Sequence, residues 1–341
     1  MDTLYNNADT PPDRLNEDWR FGQPHVHARE LLHLLETQPG DAGTLSIASE
    51  AGQLSLDAAE LAWQQLASIG SSYVVRKALS QTAQSVALHL SGSSEQALTL
   101  RCESHGLFLP CISVVVEPGV HARIIEEHVH HDNSALLCLR RYEVKPGASL
   151  SLELRETGSG NSRAMNITHL LCGGELRQIS THEQHAWARE EITAELTAPE
   201  AELLLLSANR LQGTQVLDQR TLQRHLTPGA KSRLLFKNVV DDHATAIFGG
   251  NIRVETGAHE TDAYLSNLNM MLSEQATVHS LPGLEILADR VRCSHGSATA
   301  PMDPEQLFYL LSRGIDEAAA RTLLAEGFLA NVWEQFRAEE S

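Results

Sequence analysis

Cys293 and His295 are two residues apart in a late segment, so an extended strand would carry this thiol and imidazole on one face. They are soft and borderline ligands, suited to iron, zinc or copper. Two ligands do not close a metal site, so a site here borrows the rest, and a second chain is one source. A denser cluster is His128, His130 and His131, followed by Asp132. His128 and His130 share a strand face, which allows either a metal site or a polar turn. His121, His182, His185 and His259 lie beside turn residues and are expected to face solvent.

Several chemistries are excluded. No G-x-x-x-x-G-K-[ST] occurs, so the chain is not itself a P-loop ATPase. Neither G-x-S-x-G nor H-E-x-x-H is found. The carboxylate pairs Glu126-Glu127 and Asp241-Asp242 are adjacent, so on strands their members point to opposite faces, a poor geometry for a two-carboxylate hydrolase. Five scattered cysteines without a Cys-x-x-Cys read as free thiols in a reducing compartment. With 44 acidic against 26 basic residues the net charge is −18, which argues against a nucleic-acid surface. No apolar run approaches the ~18 residues of a membrane span, and the first residues lack a basic-then-apolar signal. A cytoplasmic protein that binds neither membrane nor nucleic acid is expected.

The elements that position these residues fall into three regions. Residues 1–85 read as helical, with one helix over Trp19–Gln38 stopped by Gly40 and another capped by Asp57 with Glu60 three residues on. Residues 86–302 carry short alternating segments such as Val86–Leu90, Ile112–Val116 and Leu203–Ser207. Turn signals centred on 119, 147, 174, 200, 229 and 257 recur at spacings of 28, 27, 26, 29 and 28. A turn followed by a strand at a near-constant period predicts a β-solenoid with two or three strands per rung and an aliphatic interior. A β-sandwich with similar turn spacing is the alternative. Residues 303–341 return to helix: Asp303 caps, Pro304 takes the first position, Gly314 stops it and Asp316 caps a second helix.

The run Leu284-Glu285-Ile286-Leu287-Ala288-Asp289 through Cys293-Ser294-His295-Gly296, followed by Glu305-Gln306-Leu307-Phe308-Tyr309-Leu310 and Ser312-Arg313-Gly314-Ile315, resembles the C-terminal signature of the SufD side of the SufB/SufD scaffold family. The match is dense from Pro282 to Ile315 and extends more weakly over roughly 215–330. Ser297-Ala298 stands where the family has Ala-Thr, and Arg290 replaces a second Asp; neither change removes a ligand. The resemblance implies a right-handed parallel β-helix flanked by N-terminal and C-terminal helical regions. It also implies a non-catalytic scaffold role in iron–sulfur cluster assembly beside a SufB-like paralogue and a SufC-like ABC-type ATPase. Cys293 and His295 would lie where a transient iron or cluster is built at the contact between subunits. Leu307, Phe308, Tyr309, Ser312, Arg313, Gly314 and Ile315 would dock the ATPase. A structural homo-oligomer, including a homodimer in isolation, is the alternative; a β-helix polysaccharide lyase lacks its acidic groove here.

Overall fold

A computed structural model of the chain describes residues 40–48, 55–56, 84–94 and 96–338, with positions 33, 34 and 37. After β1 (Asp41–Ala48) and β2 (Ser55–Leu56) come sixteen strands that build the body. They are β3 (Gln84–Leu90), β4 (Leu98–Phe108), β5 (Pro110–Val116), β6 (His121–His130), β7 (Ala135–Val144), β8 (Ser149–Thr157), β9 (Arg163–Cys172) and β10 (Glu175–Glu183), then β11 (Trp187–Leu196), β12 (Glu202–Leu211), β13 (Val216–His225), β14 (Lys231–Val240), β15 (Thr245–Val254), β16 (Asp262–Met271), β17 (Thr277–Ile286) and β18 (Arg292–Pro301). Each pairs in parallel with the strand two places on, odd with odd and even with even. Two strands make one turn, so the sixteen wind a flattened solenoid of about eight turns with two facing sheets.

The periodic turns work through backbone geometry. Gly119, Gly147, Glu200, Gly229 and Gly257 all sit at positive φ, between 61° and 93°, so one left-handed residue reverses the chain once per turn. Gly174 differs: a Cβ there would lie 2.2 Å from the Ala148 carbonyl oxygen, so it is needed for close approach. A second column at the opposite edge contains Asn133, Gly160, Gln184, Gly213 and Asp242, also at positive φ. Its mixed composition hides it in the sequence.

Inward side chains stack in columns along the axis. The largest apolar cluster fills the space between the sheets, with Leu98, Ile124, Leu152, Leu205, Leu234 and Leu265 among its members. The run Leu203–Leu206 is buried on both faces: Leu203 and Leu205 point into the solenoid, while Leu204 and Leu206 lie under a helix.

That helix is α2 (Glu317–Ala338), which follows α1 (Pro304–Ser312). Asp303 Oδ1 accepts from the Glu305 amide, Asp316 Oδ1 accepts from the Ala319 amide, and Gly314 is left-handed between them. Val332 and Phe336 of α2 bury against Ile179, Leu204, Leu206 and Ala208 on the outer face of the even sheet. Lys237 Nζ donates to the Phe328 carbonyl. The tail therefore lies along the flank of the solenoid, not over its end.

Strands β1 and β2 occur inside the stretch read as helical. The helix over Trp19–Gln38 is described only at 33, 34 and 37, which are helical, and the helix from Asp57 lies outside the described residues. Strand β1 pairs antiparallel with β4 and covers the first edge of the even sheet. Among the described residues no strand lies beyond β17 or β18. No described helix is long and apolar enough to cross a membrane.

Candidate functional site

Strand register explains where Cys293 and His295 go. Leu98, Ile124, Leu152, Gln178, Leu205, Leu234 and Leu265 stand one above the next, and His295 is the last member of that column. Leu203, Ser232, Ala263 and Cys293 form the neighbouring column. Every earlier inward position here is covered by another rung. His295 is exposed and Cys293 half-buried because they occupy the final one. The structure thus brings the two together at inward positions on the open end of the solenoid. Around them Leu281, Leu284, Ile286 and Leu287 are exposed, an apolar rim with unpaired strand edges.

The other four thiols are sealed. Cys102, Cys111, Cys138 and Cys172 are buried, and desolvation pushes each thiol up, Cys111 and Cys172 to about 12. Burial also raises Cys293, less strongly. A thiol-specific disulfide reagent should therefore titrate one group per folded chain and all five after unfolding. Cys293→Ser should remove the fast-reacting group; a second fast thiol in that variant would contradict the burial pattern.

The histidine cluster divides across the wall. His131 points outward, with Nε2 2.8 Å from Glu103 Oε1 and its ring stacked 4.1 Å from that of His105. His128 and His130, the latter closing β6 just before the turn, point inward and are buried among polar side chains. The expected triple of His128, His130 and His131 is therefore not one site. His182 and His185, expected to face solvent, are also buried, while His121 is exposed and His259 half-buried.

The polar interior is built by the same stacking. Cys102, His128, Glu156 and His182 succeed one another in the even sheet, and Asn209 Oδ1 then accepts the His182 amide. An amide ladder continues: Asn209 Nδ2 donates to Asn238 Oδ1 and Asn238 Nδ2 to Asn269 Oδ1, each at 2.9 Å. Cys138, Asn166, Glu190 and Gln219 face it from the odd sheet. His182 bridges two carboxylates, Nδ1 to Glu156 Oε2 at 2.6 Å and Nε2 to Glu190 Oε2 at 3.2 Å. Burial alone would lower its pKa, but Glu190 and Glu156 more than offset this and lift it to about 10.

On the tail, α1 buries none of its residues. Phe308 is 72% exposed and Tyr309 56%, with the Arg313 guanidinium 5.1 Å from the Tyr309 ring centre. Ser312, Arg313 and Gly314 are exposed beside them, and Leu307 and Ile315 are half-buried. A large apolar surface is therefore presented on an otherwise acidic protein.

A family model described as the SufBD core domain of the SUF system for FeS cluster assembly matches residues 100–328, the whole solenoid from β4 onward and most of the tail. The chain belongs to this family. Escherichia coli (strain K12) "Iron-sulfur cluster assembly protein SufD" is 30% identical over 229 residues, 65% of this chain and 53% of that protein. Arabidopsis thaliana "Protein ABCI7, chloroplastic" is 30% identical over 235 residues, covering 67% of this chain and 49% of the relative. The SufD of Bacillus subtilis (strain 168) is 36% identical over 121 residues, 36% of this chain and 28% of that protein. This SufBD chain spans about half the length of the first two relatives. Within its SufBD core, the polar interior is what motif reading missed: Glu156 and Glu190 lie in no short motif, and Glu126 stands out only as half of an adjacent carboxylate pair. The signal that finds Glu156 is the repeat period, since Glu156 and His182 follow His128 at successive rungs.

Proposed function

We propose that this chain is a scaffold subunit in iron–sulfur cluster assembly, without a catalytic step of its own. It joins a SufB-like paralogue end to end through β17 and β18. The cluster is cargo: Cys293 and His295 hold iron or a nascent cluster transiently, together with ligands from the partner. A thiolate binds iron firmly, and an imidazole is the more labile ligand, useful where the cluster must leave. The observation that carries this reading is that inward-facing Cys293 and His295 are left open at the final rung. A second solenoid stacked there would extend both sheets, cover Leu281, Leu284, Ile286 and Leu287, and lay its own side chains over the pair.

A SufC-like ABC-type ATPase docks on α1 and the turn after it, through Leu307, Phe308, Tyr309, Ser312, Arg313, Gly314 and Ile315. Exposed aromatics beside an arginine have the composition of an interface anchor. ATP-driven movement of that partner would reach the open end through the short connection from β18 to α1 and rearrange the contact around Cys293 and His295.

The test is co-expression with SufB-like and SufC-like proteins of the same organism, read by native mass spectrometry. One copy of this chain with one SufB-like chain and two ATPases is expected. His295→Ala should keep that complex and the melting temperature while losing most of the cluster formed. If the chain runs alone, as a monomer or a homodimer, the partner assignment fails. If His295→Ala loses soluble protein, the residue is structural.

A further inference from the structure

We infer that the polar chamber inside the solenoid is a binding site for a divalent first-row transition-metal ion, with His128, His130 and Glu156 as its protein ligands. The inference stands apart from the open-end reading. From β8 to β18 are five strand spacings, roughly 24 Å at ~4.8 Å each, so this is a different place.

The donor set is the first ground. One ligand atom from each of His128, His130 and Glu156 lies within 4.8 Å of the others, and all three residues are buried. His130 Nε2 stands 3.3 Å from Glu156 Oε1, and His128 Nδ1 stands 4.0 Å from it. Metal–ligand bonds of about 2.0–2.2 Å reach all three atoms from one point after small rotations. Two imidazoles and a carboxylate select a divalent first-row ion over calcium or magnesium, which take oxygen ligands.

The second ground is a buried ring nitrogen aimed into the polar interior. His130 is 1% exposed, and its Nε2 has no hydrogen-bond partner. Its Nδ1 lies 2.9 Å from Ser104 Oγ, whose own proton goes to Ser134 Oγ. With Nδ1–H donating to Ser104, the Nε2 lone pair of the neutral ring faces a carboxylate oxygen. At 3.3 Å this contact calls for a cation between the two atoms, a proton or a metal ion, and the nearby His128 makes the metal the three-donor solution. His128 Nε2 is 3.0 Å from Glu126 Oε2, a carboxylate–histidine contact of the kind that orients metal-bound imidazoles, while its Nδ1 lies 3.4 Å from Arg140 Nη2, which turns aside when the ion binds.

The surroundings hold this geometry. Asn166 Nδ2 reaches both oxygens of Glu156 at 2.8 Å. The His185 ring packs 4.9 Å from that of His130, and its Nε2 is likewise unpartnered. Gly158 makes room for it, since a Cβ there would lie 2.6 Å from His185 Nδ1. Three carboxylates, Glu126, Glu156 and Glu190, face two cations, Arg140 and His182, which leaves one negative charge for an added ion. Because these ligands are closed to solvent, the ion loads as the chain folds.

The experiment uses the full chain, unfolded in guanidinium with EDTA and refolded with one equivalent of Zn2+ or Co2+. Elemental analysis after gel filtration should find about one ion per folded chain, resistant to EDTA until the protein is unfolded again. His130→Asn keeps a donor near Ser104 but removes Nε2, and should lose the ion. His131→Ala and Cys293→Ser, which alter the exposed cluster and the open end, should retain it. If His130→Asn does not fold, X-ray absorption of Zn2+-loaded wild type decides: imidazole scattering with nitrogen and oxygen neighbours is expected. Folded wild type that takes up no ion, an ion retained by His130→Asn, or a sulfur-dominated shell would each overturn the inference.

Discussion

Arg140→Met should destabilise the solenoid by roughly 3–5 kcal/mol, because it strands a buried carboxylate. Arg140 lies inside the odd sheet, 2% exposed, between the apolar side chains of Cys138 and Tyr142. Its Nε donates to Glu126 Oε2 at 2.7 Å and its Nη1 to Asn166 Oδ1 at 2.7 Å, and Nη2 lies 3.2 Å from His128 Nε2. Burial alone would raise Glu126, yet Arg140 and His128 more than offset it and hold the carboxyl below its ordinary range. Without the guanidinium, Glu126 must either stay charged in a dry interior or take up a proton. Chemical denaturation at neutral pH measures the loss. The double variant Arg140→Met, Glu126→Gln should recover at least half of it, since no orphan charge remains. Equal losses in single and double variants would mean that guanidinium packing, not charge, is the main contribution.

The legible part of this fold was what repeats within a few residues. Glycines and a glutamate at a near-constant period fixed the turns at one edge, because a left-handed residue is needed there on nearly every rung. The Leu203–Leu206 run read as a strand, though not as one buried on both faces, since nothing local announces α2 more than a hundred residues later. Cys293 and His295 were legible as a pair because strand alternation puts i and i+2 on one face. Their exposure was not, because it depends on their being in the last rung. The chamber was half legible. His128 and His130 share a face for the same local reason, but His131 faces outward and the third donor arrives from β8, one rung on. His182 and His185 read as turn neighbours, and their burial follows from the stacking of whole rungs, which local spacing does not encode. Applied as an offset from His128, the period leads to Glu156 and then to His182; without a structure nothing says which columns face inward.

His225 should make this protein sensitive to mild acid, independently of the chamber. It occupies an inward column between Leu196 on the rung before and Val254 on the rung after. Its Nε2 lies 2.9 Å from Ser232 Oγ, and Nδ1 has no partner. Burial alone pushes its pKa down to about 4 in the folded chain, against about 6.5 when unfolded. As pH falls through 6.5 the unfolded chain takes a proton that the folded chain refuses, so stability is lost down to about pH 4. The loss from this residue approaches roughly 3 kcal/mol at 1.36 kcal/mol per unit. His128 and His185 are also held down by burial and add loss of the same sign. His182, lifted by its carboxylates, acts oppositely: its contribution is complete below pH 6.5 and fades as pH rises towards 10. The difference between wild type and His225→Leu therefore isolates one residue. The stability lost between pH 7 and pH 4.5, from denaturant unfolding, should be larger in wild type than in the variant by most of that energy. Leucine suits a column of Leu196 and Val254, so the variant should be at least as stable as wild type at pH 4.5. Parallel acid losses in the two proteins would show that water reaches Nδ1 and that the imidazole ring titrates as it does in solution.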